Sequence, residues 1–80
     1  MGKSLSSTED EKLAALLRSV RSSAGFTQAE VAERLEQPQS FVSKYESGER
    51  RLDLVELKQI CKALGISLVE FVRRFEKEAS

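Results

Sequence analysis

The chain has 80 residues, 40% hydrophobic and 32% charged, with 13 basic and 13 acidic side chains that cancel to zero net charge. That length holds one small folded domain, and the balance of apolar and charged residues is that of a globular chain, not a disordered one. There is no His and a single Cys. An imidazole or thiolate metal site, a Ser-His-Asp triad and an internal disulfide are therefore not expected, and neither is an enzyme. The apolar runs are too short for a membrane span or a signal-peptide core, which makes a cytoplasmic location the expectation. Zero net charge argues against a protein that holds nucleic acid by bulk electrostatics, but not against one whose charges are sorted by face.

Residues 1–7 read as a disordered tail, and residues 8–77 as the domain. Helix starts are marked by capping boxes, in which a Ser, Thr or Asp is followed three residues later by Glu. Thr8 and Glu11 open the first helix, which runs from about Glu9 to Ala24. Its stripe of Leu13, Leu16, Leu17, Val20 and Ala24 has helical spacing, and Gly25 stands where a left-handed cap belongs. Thr27 and Glu30 open the second helix, Gln28 to Leu35, which buries Val31, Ala32 and Leu35. A turn at Glu36-Gln37-Pro38 leads to a third helix that ends near Ser47, with Gly48 as its stop. Proline suits the start of that helix, where its missing N–H costs nothing.

Glu49 to Leu52 reads as a loop. Asp53 and Glu56 open a fourth helix, about Leu54 to Leu64, with Leu57, Ile60, Cys61 and Leu64 inward and Gly65 ending it. Cys61 on this apolar stripe reads as a small core residue. Ser67 and Glu70 open a fifth helix from Leu68, with Leu68, Phe71, Val72 and Phe75 on one side. Three starts also carry a hydrophobic staple, Phe26 with Val31, Leu52 with Leu57, and Ile66 with Phe71, which fixes the angle at which the chain enters the helix. No strand pattern or repeat is present, so the fold class is all-α.

The segment from Thr27 to Glu46 carries the functional signal. Its two short helices are joined by a very short turn. The second presents Gln39, Ser40, Ser43 and Lys44 on one face, and Phe41, Val42 and Tyr45 on the other. A polar helix held on an apolar backing is what reading DNA in a groove requires. A Gln amide can pair bidentately with adenine, Lys can donate to guanine, and serine hydroxyls serve bases or phosphates. The same residues on an isolated helix would be an ordinary solvated face, and Phe41, Val42 and Tyr45 have the spacing of a helix backing.

In register, these residues resemble the phage-repressor and Cro type of helix-turn-helix domain, also called the xenobiotic-response-element family. The resemblance rests on Arg21 and Gly25 ahead of TQAEVA, on SFVSKYESGERRL and on ELKQICKALGISL, and it covers about residues 10–75. It implies a compact five-helix bundle of the lambda-repressor-like kind, with the helix-turn-helix at helices 2 and 3. It further implies that Gln28 touches a phosphate and braces helix 3, and that Gln39, Ser40 and Lys44 reach base edges with Ser43 beside them. Ser47 and Arg50 match phosphate-contacting positions. Arg21 and Glu46 match a structural ion pair that ties helix 3 to the scaffold, the alternative for Arg21 being a phosphate contact. Three positions depart from the family's pattern: Glu36, where Gly with positive φ is common; Pro38, in place of a Ser or Thr cap; and Glu49, where a basic residue is common.

The implied function is a sequence-specific regulator of transcription that binds double-stranded DNA, with repression as the expected output. The alternative is a protein-interaction module of the same fold, antitoxin-like, with little DNA contact. One helix-turn-helix reads only a few base pairs, so a homodimer on a two-fold symmetric operator is expected. Val55, Val69 and Val72 exceed what one inward stripe needs, which places that interface on helix 5 and the start of helix 4. No cofactor and no metal are expected.

Overall fold

A computed structural model describes the backbone of residues 3–79 and the side chains of residues 8–77. Five helices follow one another among the described residues, with no strand: α1 (Lys3–Ala24), α2 (Gln28–Leu35), α3 (Gln39–Glu46), α4 (Leu54–Leu64) and α5 (Leu68–Ala79). The boundaries of α2 and α4 rest on full capping boxes. The Thr27 and Asp53 side chains accept from the N–H groups of Glu30 and Glu56, whose carboxylates accept from the cap N–H groups in return. At α5, Ser67 Oγ accepts from Glu70 N at 3.0 Å, but the Glu70 carboxylate turns to Arg73 and Arg74.

The start of α1 differs from the sequence reading. The helix begins at Lys3, so Thr8 lies inside it and not at its cap. Nothing from Lys3 to Thr8 breaks a helix, since no Gly or Pro occurs there, and a capping box marks a start only where the chain before it leaves the helix. The tail expected over residues 1–7 lies partly outside the described residues.

The core is built where the stripes of all five helices converge. Leu16, Leu17 and Val20 of α1 meet Val31 and Ala32 of α2, Val42 and Tyr45 of α3, Ile60, Cys61 and Leu64 of α4, and Phe71 of α5. The staple residues Phe26, Leu52, Leu57 and Ile66 pack against its edge. α2 lies closely along α3, and α1 backs α3 from the other side; α4 packs on α2, α1 and α5 but not closely on α3. The recognition-helix candidate is thus held from two sides and left open on the others.

Four helices end alike. After α1, α2, α3 and α4 the chain turns through a left-handed residue, and the next N–H reaches back to the helix: Phe26 to Arg21 O, Gln37 to Ala32 O, Glu49 to Lys44 O, and Ile66 to Cys61 O. Three of the left-handed residues are glycines, at φ of 81–84°. The fourth is Glu36, at φ 58° and ψ 43°, inside the turn that joins α2 to α3. A side chain in that region costs roughly 1–2 kcal/mol. Pro38 then serves as the cap of α3 with extended backbone and no side-chain bond.

Candidate nucleic-acid interface

The rigid part of the site is a chain of polar side chains at the junction of α1, α2 and α3. Arg21, late in α1, donates from Nε and Nη2 to both oxygens of Glu46, at 2.7 and 3.0 Å, and from Nη1 to the carbonyl of Phe26 at 2.9 Å. Glu46 ends α3 and is the one buried charged residue among those described, with its side chain 2% exposed. The bond to Glu46 raises the Arg21 guanidinium above its already high pKa, so the guanidinium stays charged. Both carboxylate oxygens and the guanidinium face are satisfied, as burial of a charge requires.

The chain continues outward. Gln28, the first residue of α2, donates from Nε2 to Glu46 Oε1 at 2.9 Å. A carboxylate only accepts, so this bond fixes which end of the Gln28 amide faces inward. Its oxygen therefore faces α3, where Gln39 Nε2 approaches at 3.4 Å. Gln39 is exposed and is left with its own oxygen and a second N–H, one acceptor and one donor on the same amide.

Beside Gln39, the residues Ser40, Ser43 and Lys44 are all exposed on α3, and the backing residues Val42 and Tyr45 are buried. Phe41 is half-buried and meets Tyr45 edge-on at 5.4 Å between ring centres. Burial, then the neighbouring Glu46 charge, pushes the Tyr45 phenol well above its usual range, so its ring acts as a neutral packing surface. Ser47 is exposed and folds its hydroxyl back onto Lys44 O at 3.0 Å, which satisfies one carbonyl at the end of α3.

Arg50 is placed differently from the rest. Its guanidinium donates to both oxygens of Glu56 on α4, at 2.8 and 3.2 Å, and to the carbonyl of Arg51 at 2.7 Å. It also lies over the Phe41 ring, 4.9 Å from its centre. Arg51 reaches back to Asp10 of α1 at 3.7 Å. The loop between α3 and α4 is thus pinned at two consecutive arginines. The sequence reading missed both pairs and missed Glu56 as a partner. It also missed Arg34, which covers Phe26 at 4.3 Å and donates to Ala63 O on α4. None of these falls on a helical period, and only the opposite signs of Arg50 and Glu56 in adjacent elements hinted at the contact.

No group of His, Cys, Asp and Glu able to hold a metal occurs among the described residues. Cys61 is buried among apolar side chains, which pushes its thiol up to about 11. No helix among the described residues is long and apolar enough to cross a membrane.

The helix-turn-helix family model matches residues 17–71, which spans α2, α3 and α4 and most of the core. The chain belongs to the Cro/C1-type, or XRE, helix-turn-helix family. Among solved structures it is similar to an XRE-family-like protein from Pseudomonas syringae pv. tomato str. DC3000, at 39% identity over 99% of this chain and 96% of that one, with a TM-score of 0.87. The restriction-modification controller protein C.Esp1396I, solved as a tetramer with its natural 35 base-pair operator, is 28% identical over 90% of this chain and 95% of that one, at a TM-score of 0.84. The clp gene regulator ClgR from C. glutamicum is 30% identical over 86% and 88%, at a TM-score of 0.78. No curated protein sequence matches the chain. Within the helix-turn-helix frame, α2 is the supporting helix and α3 the recognition helix.

Proposed function

We propose that the protein is a transcriptional regulator that binds double-stranded DNA and reads it in the major groove with α3. The observation that carries this reading is the relay from Arg21 through Glu46 and Gln28 to Gln39, which sets one amide on the open face of α3 before any DNA arrives. An amide that offers one acceptor and one donor matches the N6 and N7 edge of adenine. Lys44 supplies a cation for guanine O6 and N7, and Ser40 and Ser43 flank it. Gln28 keeps a second N–H for a phosphate, and Ser47 takes one by turning its hydroxyl away from Lys44 O. Glu36 and Glu49 lie near that path, so non-specific affinity is low and specificity rests on few contacts. The chemistry is binding and not catalysis, and the site of action is the cytoplasm.

A second copy of the chain completes the reader. Val55 and Val69 are 65% and 68% exposed, Leu54 and Val72 are also exposed, and together they mark α5 and the start of α4 as the two-fold contact of a homodimer. Two recognition helices about 34 Å apart then read a symmetric operator. The test is a selection of bound duplexes from random DNA, followed by a gel shift with the selected site. The unmodified chain shifts it, and Gln39→Ala with Lys44→Ala abolishes the shift while the melting curve stays unchanged. Retention of the shift by that double variant sinks the assignment of α3. A monomer by sedimentation at high concentration sinks the dimer.

A further inference from the structure

Arg50 matches a phosphate-contacting position, yet its guanidinium is engaged elsewhere. It closes a pair with both oxygens of Glu56, bonds the loop carbonyl of Arg51 and covers the Phe41 ring on α3. α3 and α4 do not pack closely on each other. Between them lies a groove of about 380 Å³, with Phe41 and Ile60 on its walls and Arg50 and Glu56 across it. Beyond the shared core, the pair ties α4 to the loop that follows α3, and the Arg50 plane over Phe41 carries that tie to the recognition helix. Glu56 is itself anchored, because its carboxylate caps α4 at Asp53 N.

We infer that Arg50 and Glu56 form a strut that sets the angle of α3, which makes Glu56 a specificity-determining residue that touches no DNA. The inference rests on the DNA-binding reading above. Arg50 acts on recognition as a positioning residue: its charge is spent on Glu56, and its plane holds Phe41, the residue next to Ser40. A tilt of α3 about its fixed Glu46 end moves Gln39 and Ser40 at the other end most. Loss of the strut therefore lowers the preference for the operator over random DNA, through the placement of the amide and not through a lost phosphate contact.

The experiment measures binding to the selected duplex and to a random duplex of equal length, as a function of salt. The variants are Arg50→Lys, Glu56→Gln and both together, each held well below its own melting temperature. Glutamine keeps the capping box of α4, and lysine keeps the positive charge but neither forks onto a carboxylate nor stacks on a ring. The strut predicts that each single change lowers the operator-to-random ratio by roughly fivefold. It also predicts that the double change costs no more than the worse single one, and that the salt slope for the operator stays the same in Arg50→Lys. A Glu56→Gln chain that keeps the full ratio overturns the strut, and so do additive losses. To separate a direct phosphate contact, Arg50→Gln is added: a slope lower by about 0.9, with Glu56→Gln unaffected, assigns Arg50 to a phosphate and overturns the inference alone. An unmodified chain that binds no selected duplex overturns the DNA-binding reading and this inference together.

Discussion

The molecule contains two Arg–Glu pairs of nearly the same bond lengths in very different surroundings. Arg21 and Glu46 meet at 2.7 and 3.0 Å with side chains 15% and 2% exposed; Arg50 and Glu56 meet at 2.8 and 3.2 Å with side chains 40% and 28% exposed. Both arginines fork onto a carboxylate and also bond a backbone carbonyl. What separates them is water. In the first pair each charge depends on the other, because neither has solvent to return to. In the second, solvent replaces either partner when it is lost, so the pair adds little stability. The difference teaches that bond length does not rank ion pairs. The buried pair holds the fold, and the exposed pair directs where α3 points.

The largest expected effect follows from breaking the buried pair. Arg21→Ala leaves the Glu46 carboxyl without its partner and nearly without solvent, and destabilises the fold by about 3 kcal/mol. In a chain of this size that corresponds to a fall in melting temperature of roughly 12–24 °C. The comparison sharpens with Arg21→Met and Glu46→Leu together, which removes both charges and fills the space with apolar atoms. That double variant melts well above Arg21→Ala, since no orphaned carboxyl remains. Thermal unfolding followed by circular dichroism checks both. A melting temperature for Arg21→Ala within 3 °C of the unmodified chain, by the same scale about 0.5 kcal/mol, refutes the assignment.

The sequence disclosed these two regions unequally. The boundaries of α2 and α4 were readable because a capping box and a staple are local signals, complete within six residues. The core followed from the stripes, and Val31, Val42, Ile60 and Phe71 are all buried. Arg21 and Glu46 are 25 residues apart, and no periodicity joins them; their pairing was accessible only through the family register. Arg50 and Glu56 are six residues apart but belong to a loop and the next helix, so neither helical spacing nor the register revealed that they meet. The same limit applies to α1, whose start depends on what residues 3–8 do and not on the cap-like Thr8. At the reading face, the identities of Gln39, Ser40, Ser43 and Lys44 were plain, but the orientation of the Gln39 amide needed the bond from Gln28 to Glu46.

A smaller effect comes from the turn between α2 and α3. Glu36 occupies a left-handed position that glycine fills after α1, α3 and α4. A Cβ at those glycines would meet no atom within 4 Å, so what glycine relieves there is backbone strain and not crowding. Glu36→Gly removes roughly 1–2 kcal/mol of strain, offset by about 0.5–1 kcal/mol of added freedom in the unfolded chain. The net expectation is a rise in melting temperature of about 2–8 °C, with DNA binding strengthened by the loss of a negative charge near the phosphates. A drop in melting temperature refutes it, and means that the Glu36 side chain holds something the strain argument omits.

The smallest stability effect belongs to the exposed pair, and it carries a pH signature. The backbone N–H of Asp53, then the Arg50 guanidinium, hold the Glu56 carboxyl below its ordinary value of 4.5. A carboxyl whose folded pKa is depressed stabilises the fold above its unfolded value, and that contribution fades as the pH falls through the folded one. Arg50→Lys therefore shifts the melting temperature by no more than about 4 °C at pH 7, and by less once the pH has fallen through the lowered Glu56 value. The Arg21 change has no such signature at high pH: its guanidinium, raised by the bond to Glu46, stays charged, and its loss costs the same at pH 7 and pH 9. Melting curves of both variants from pH 3 to pH 9 separate the pairs. If the Arg50 effect equals the Arg21 effect at pH 7, exposure does not rank these ion pairs, and the division between a pair that holds the fold and a pair that aims α3 fails with it.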